Sequence, residues 1–285
     1  MSARLVNGRG GWFEPGKMVC HCLLIEGADG LILVDTGLGT DDVSDPRPRL
    51  GGPFLAATRP VLRPDQTALA QVLRLGFRRE DVRHLVLTHL DLDHAGGLPD
   101  FPEATVHVFE PELRAATERA TRGERGRYRP AHFAHGPKWK VYPVAGETWL
   151  GFDRVRILGD DVALIPTVGH TRGHCAVAVR EGEGWLLHAG DAYFFHGEMQ
   201  LTPRCTPALA AFQRFVAVDN RARLENQRRL RALSLEQQGV VRVFSAHDPT
   251  ELELFAALEA RPLTAGLRGP TFTGRGPQPP SVSEN

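Results

Sequence analysis

The hydrophobic pattern is one of short apolar runs bounded by turn residues and interleaved with stretches at helical spacing. Residues 19–25 (VCHCLLI) and 31–34 (LILV) read as two strands joined by a Gly/Asp turn. Residues 85–87 and 106–109 are further short strands. Ahead of both lies a helix, with Asp65 as its expected N-cap, Leu69, Val72 and Leu73 at helical spacing, and Gly76 as its end. Strands are expected again at 162–165, 176–179, 185–187 and 240–244. One or two helices should fill 207–238, with Leu230 and Leu233 facing the core, and a short helix 251–259. This mixture predicts layered α and β elements, an α/β fold, and excludes an all-β barrel.

Two segments break the pattern. Residues 45–64 are rich in Pro and Gly and are expected to hold no regular element, as a lid or binding loop would. Residues 119–140 carry seven Lys/Arg against one Glu, which suits a solvated loop or a rim that attracts an anionic substrate. The Gly-, Pro- and Ser-rich tail, 266–285, is expected to be disordered. With no repeat and no shift in composition, residues 1–265 read as a single domain.

Charge narrows the class. The 285 residues hold 34 Lys/Arg and 34 Asp/Glu, so no long-range field draws the chain to nucleic acid or to an anionic membrane. No apolar run approaches the ~18–20 residues of a bilayer crossing, and the first residues lack a signal-peptide core. A soluble, cytoplasmic protein is expected. The four cysteines contain no CxxC pair, which argues against a disulfide framework or a Cys-rich zinc knuckle. Cys20 and Cys22 read as small buried residues of the first strand.

Histidine, at twelve, is the unusual count. His89, Asp91, Asp93 and His94 fall within six residues directly after the strand 85–87 and before Ala95-Gly96-Gly97. At i, i+2 spacing His89 and Asp91 point the same way, and a turn at Asp93-His94 can aim a second pair nearby. The glycines let the backbone turn into the next element. Three more segments repeat this placement at strand ends: His170-Thr171-Arg172-Gly173-His174, His188-Ala189-Gly190-Asp191 and Ser245-Ala246-His247-Asp248. Strand ends are where a scaffold converges side chains from distant parts of the chain. No GxSxG elbow, HExxH helix or P-loop competes with this set.

HLDLDHAGG, then GHTRGH, GDAYF and SAHD, resembles the metallo-β-lactamase superfamily of metal-dependent hydrolases, over about residues 18–260. The resemblance implies a four-layer αββα sandwich with two divalent metal ions at one edge, zinc first, with iron or manganese as alternatives. It implies one site of His89, Asp91 and His174, a second of Asp93, His94 and His247, and Asp191 bridging them. His170 is read as structural. His21, His84, His107, His132, His135, His188 and His196 are assigned ordinary roles. Asp91 departs from the family pattern, HxHxDH, which has histidine there. Three carboxylates against two divalent ions leave one positive charge where the usual two leave two. Such a site acidifies its water less and favours harder ions.

The resemblance is nearest to the lactonase-like and glyoxalase-like branches. It implies a metal-bridging hydroxide that attacks the carbonyl of a lactone, ester or thioester, a small and possibly anionic substrate. Asp93 would steer the nucleophile or shuttle a proton, and Tyr193 would hydrogen-bond the oxyanion. The alternatives are a diiron oxidoreductase, for which Asp91 argues, and a phosphodiesterase.

Overall fold

The computed structural model describes residues 2–259, so the expected tail and the boundary at 265 lie outside the described residues. Eleven strands form two sheets among the described residues. The first holds β1 (Leu23–Gly27), β2 (Gly30–Val34), β3 (Val82–Val86), β4 (Thr105–Phe109) and β5 (Lys138–Tyr142) in that order. β1 is antiparallel to β2, and β2 to β5 run parallel. The second sheet holds β6 (Glu147–Trp149), β7 (Phe152–Leu158), β8 (Val162–Pro166), β9 (Cys175–Glu181), β10 (Gly184–His188) and β11 (Val241–Phe244) in reverse order. Only β10 and β11 pair in parallel there.

Why the strands lack a polar face follows from their burial. Ile32, Val34, Val86 and Phe109 of the first sheet pack against Val162, Leu164, Cys175 and Val177 of the second. The alternate residues Leu31, Leu33, Leu85, Val106 and Val108 meet the helices Ala68–Arg74 and Glu110–Glu118 on the outer side. On the far side of the second sheet, Ala163, Ile165, Ala176, Ala178 and Leu187 meet Leu230 and Leu233 of the helix Asn220–Glu236. Both faces of the central strands are therefore covered, and the apolar run wins over strict alternation. The layers are helix, sheet, sheet, helix: an α/β fold, the αββα sandwich. Among the described residues no helix is long and apolar enough to cross a membrane.

Several expectations need correction. Residues 45–64 contain the helices Pro46–Leu50 and Gly52–Thr58, whose prolines occupy the first turn, where a missing N–H costs nothing. Arg49 ties the first of them to Asp42 at 2.7 Å. The next helix begins at Ala68, capped by Thr67, and Asp65 sits in the preceding turn. The first strand starts at Leu23; the residues before it cross to the other sheet, where His21 N–H donates to Ala246 O. Residues 119–140 enclose the helix Arg122–Arg127, held by a Thr121–Glu124 capping box, with Tyr128 buried behind it. Cys20 is exposed rather than buried, and all four cysteines are free.

Leu164 is fully buried between the sheets. Leu164→Ala should cost about 2–5 kcal/mol, read as a lower midpoint in denaturant melts.

Candidate metal centre

The site grows from the ends of β2, β3 and β10. Asp35, at the end of β2, adopts a left-handed backbone with φ 54° and is buried. Its Oδ1 accepts the Thr88 N–H and its Oδ2 the Thr88 hydroxyl, both at 2.8 Å. The same Oδ2 lies 2.8 Å from His94 Nδ1. The network assigns the hydrogens: Nδ1–H of His94 donates to Asp35, and Nδ1–H of His89 donates to Thr88 Oγ1 at 3.0 Å. Both imidazoles are thereby left with a bare Nε2 aimed inward. Asp35 is pushed down to about 2: burial alone would raise it, and the facing His94 outweighs that.

A second buried carboxylate joins two site loops. Glu112 Oε1 accepts the Leu90 N–H at 2.9 Å, and Oε2 accepts the Thr171 hydroxyl at 2.6 Å and the Gly173 N–H at 3.0 Å. Gly96 has an ordinary negative φ; its role is close approach, since a Cβ there would lie 2.1 Å from Asp42 Oδ2. The expectation that this glycine serves a turn is replaced by packing.

Six side chains meet around Asp191. Its Oδ1 is 3.0 Å from His247 Nε2 and 3.3 Å from His94 Nε2. Its Oδ2 is 3.2 Å from His170 Nε2 and 3.7 Å from His89 Nε2. Asp91 Oδ2 lies 3.0 Å from His170 Nε2 and 3.4 Å from His89 Nε2. Asp93 Oδ2 lies 3.8 Å from His247 Nε2. Burial would raise the Asp191 carboxyl, yet His247, His94 and His170 hold it well below the usual range. His247 is oriented by its Nδ1–H, which donates to Val19 O at 2.7 Å.

Two expected residues stand elsewhere. His174 is fully buried but faces the backbone: its Nδ1 lies 2.9 Å from Thr167 O, and its Nε2 accepts the Asp191 N–H at 2.8 Å. With both nitrogens engaged it orients the Asp191 loop, and His170, read as structural, takes the inward place. Tyr193 donates its hydroxyl to Glu251 at 2.9 Å inside the core, and its neighbour Phe194 faces the cluster, 4.7 Å from the His247 ring. Sequence reasoning also missed Asp35, Glu112, Arg127 and Cys20. Cys20 offers a thiol beside Asp93 and His247, all three within 4.8 Å of one another. Among these, only Asp35 carried a visible signal, a carboxylate at a strand end before Thr36-Gly37.

The donor set fits two cations. His89 Nε2, His94 Nε2, Asp91 Oδ1 and Asp191 Oδ1 are buried without a hydrogen-bond partner, and all belong to this cluster. Unpartnered buried donors and acceptors are costly, and imidazole with carboxylate is a ligand set for divalent metals. His89, Asp91 and His170 form one triad, and Asp93, His94 and His247 surround the other face of Asp191.

The family model described as "Metallo-beta-lactamase superfamily" matches residues 15–247. A Mycobacterium tuberculosis protein named "probable metallo-hydrolase" is 42% identical over 240 residues, 83% of this chain and 77% of its own length. An N-acyl homoserine lactonase of Rhizobium johnstonii is 32% identical over 63% of this chain and 68% of its own. The crystal structure of a B. thuringiensis AiiA variant, with N-decanoyl-L-homoserine at its active site, superposes with a TM-score of 0.65 at 22% identity. It covers 89% of this chain and 91% of that one.

Two outcomes follow from the geometry. His170→Ala should lower metal content from two ions to one per chain by elemental analysis, and the exposed His135→Ala should leave it unchanged. Burial pushes Glu251 up to about 8 against Tyr193 and Ser245. Between the ordinary glutamate range and pH 8 the native state therefore keeps a proton that the unfolded chain has released, so this contribution to stability is full in acid and lost as pH rises. Thermal melts from pH 5 to 9 should show a flatter profile for Glu251→Gln than for the parent chain.

Proposed function

The chain belongs to the metallo-beta-lactamase superfamily and is a metal-dependent hydrolase, and from that premise we propose that it opens lactones bearing an apolar acyl chain. The observation that carries this reading is the pairing of the Asp191-centred cluster with an aromatic wall. Phe194 stands beside His247 and 6.1 Å from the His170 ring, and Phe212 packs on it at 5.9 Å. Phe194 is itself buried, and the half-buried Phe212 packed on it leaves the apolar surface that an acyl chain can cover and a small polar ester cannot use. Similarity to N-acyl homoserine lactonases supports the same class.

We assign the ligand triads of His89, Asp91 and His170, and of Asp93, His94 and His247, with Asp191 shared. Zinc suits these nitrogen and oxygen donors. Two bound divalent cations would acidify a water and polarise the scissile carbonyl. The chain's own residues supply the rest. Asp35 and Thr88 fix the tautomers of His94 and His89, and the backbone carbonyl of Val19 fixes that of His247. Asp93 is the most open carboxylate of the set, its side chain 23% exposed against 4% for Asp191. It takes the proton lost as water adds to the carbonyl and returns it to the alkoxide released when the ring C–O bond breaks. The product is the hydroxy acid. With Tyr193 held by Glu251, no phenol serves the oxyanion.

The test is a panel of lactone, ester, thioester and phosphodiester substrates with metal-loaded protein. Lactone turnover should dominate and favour longer acyl chains. Phe212→Ala, at the half-buried ring of the wall, should raise KM for a long-chain lactone by about 10-fold with a small effect on kcat. Hydrolysis of the thioester or phosphodiester without lactone turnover would refute the assignment.

A further inference from the structure

We propose that Arg127 is a positioning and charge-compensating residue of the metal centre, making Asp91 the electrostatic equivalent of a neutral ligand; this rests on the metal-centre reading above. The observation is a buried cation held on the carboxylate oxygen nearest the triad nitrogens. Asp91 Oδ2 carries the Arg127 guanidinium at 3.2 Å and His170 Nε2 at 3.0 Å. Its other oxygen, Oδ1, is buried and has no partner. The oxygen paired with Arg127 is thus the one that lies among the triad nitrogens, 3.4 Å from His89 Nε2 as well, so the fixed cation and the ligand position meet on one carboxylate.

Arg127 is built in rather than resting on the surface. Its side chain is only 14% exposed. Nη1 also donates to the backbone carbonyl of His170 at 3.1 Å, and Nη2 to that of Val216. One planar fork therefore touches two members of the same triad, Asp91 by its side chain and His170 by its main chain. A lysine is a point charge on a flexible stem and lacks the fork that reaches both carbonyls while pairing with Asp91. The nearest neighbouring arginines serve elsewhere: Arg125 bonds the backbone carbonyls of Arg119 and Ala120, and Arg129 those of residues 48 and 49.

The consequence concerns charge at the cluster. Three carboxylates, Asp91, Asp93 and Asp191, face the metal positions. If Asp91 acted alone, two divalent ions would leave one net positive charge. Counting Arg127 restores two, the value of a centre with two carboxylates and an imidazole in place of Asp91. A buried arginine this close would repel the cations unless the carboxylate stood between them. Arg127 and Asp91 should therefore be acceptable together and harmful apart.

The experiment measures metal stoichiometry and zinc affinity of the full chain by elemental analysis and competition titration, independently of turnover. Four variants are compared with the parent: Arg127→Met, Arg127→Lys, Asp91→His and the double variant Asp91→His/Arg127→Met. The parent should hold two ions. Arg127→Met should weaken one of them by about 10–100-fold, and Asp91→His should do likewise by leaving Arg127 unpaired against the metals. The double variant should regain two ions, and Arg127→Lys should fall between parent and Arg127→Met. If Arg127→Met does not fold, the same recovery is sought by comparing Asp91→His alone with the double variant. Parental affinity in Arg127→Met, or a double variant no better than the worse single one, would overturn the proposal. Two tightly bound ions in a parent that opens no lactone would instead defeat the substrate assignment and leave the role of Arg127 standing.

Discussion

The structure depends on bringing imidazole nitrogens and carboxylate oxygens together, out of water, where several of them find no hydrogen-bond partner. Asp191 sits at that point, with four imidazoles within 4 Å of its two oxygens. In the absence of a cation such a cluster would relax, because bare Nε2 atoms have no donor to accept from and the Asp91 and Asp191 oxygens lack partners. The surrounding scaffold prevents relaxation. β2, β3 and β10 end beside one another at the same edge of the two sheets, and the loops that follow are pinned by Asp35, Glu112 and His174.

The scaffold itself is ordinary hydrophobic chemistry. Strands covered on both faces need apolar residues at every position, which is why LILV, HLVL and VALI were legible as strands without any helix or strand periodicity to separate their faces. The helix Asn220–Glu236 was legible for a different reason, Leu230 and Leu233 on one face. Strands β5, β6 and β7 were missed because exposed Lys, Arg and Glu dilute their apolar positions. Residues 45–64 were misread because proline counts as a breaker in composition yet is compatible with a helix at its first turn.

At the site, residue types were legible and orientation was not. The sequence pointed to the strand-end clusters, but GHTRGH offers two histidines four apart, and spacing alone cannot say which turns inward. The loop decides: Gly173 passes against Glu112, where a Cβ would be 2.3 Å from the Glu112 backbone nitrogen, so His174 drops beneath the Asp191 loop and His170 takes the open side. The same one-residue ambiguity separates Tyr193 from Phe194. Glu251, packed from the last described helix, captures the phenol, a long-range contact with no local sequence trace. Arg127 was invisible for the opposite reason. It lay in a run of basic residues whose sum suggested a surface, and only its burial distinguishes it from its neighbours.

The two halves of the cluster are therefore supported differently. His89 and His94 share Asp35 through Thr88 and directly, and His247 uses the carbonyl of Val19, so these three imidazoles have their outer nitrogens fixed by hydrogen bonds. His170 has no such partner, for its Nδ1 is buried and unbonded. What holds it is the main chain: Arg127 grips its carbonyl, and Gly169 and His170 carbonyls accept from Asp219 and Val218. Asp91 is held by the same guanidinium. The half built on Asp91 and His170 thus depends on one arginine as the other half depends on one aspartate, Asp35. A hydrogen-bond acceptor behind an imidazole fixes a tautomer; a cation behind a carboxylate fixes a charge. The position of Asp91 requires the second kind of support, and the fold supplies it from the short helix Arg122–Arg127 that composition alone had placed in solvent.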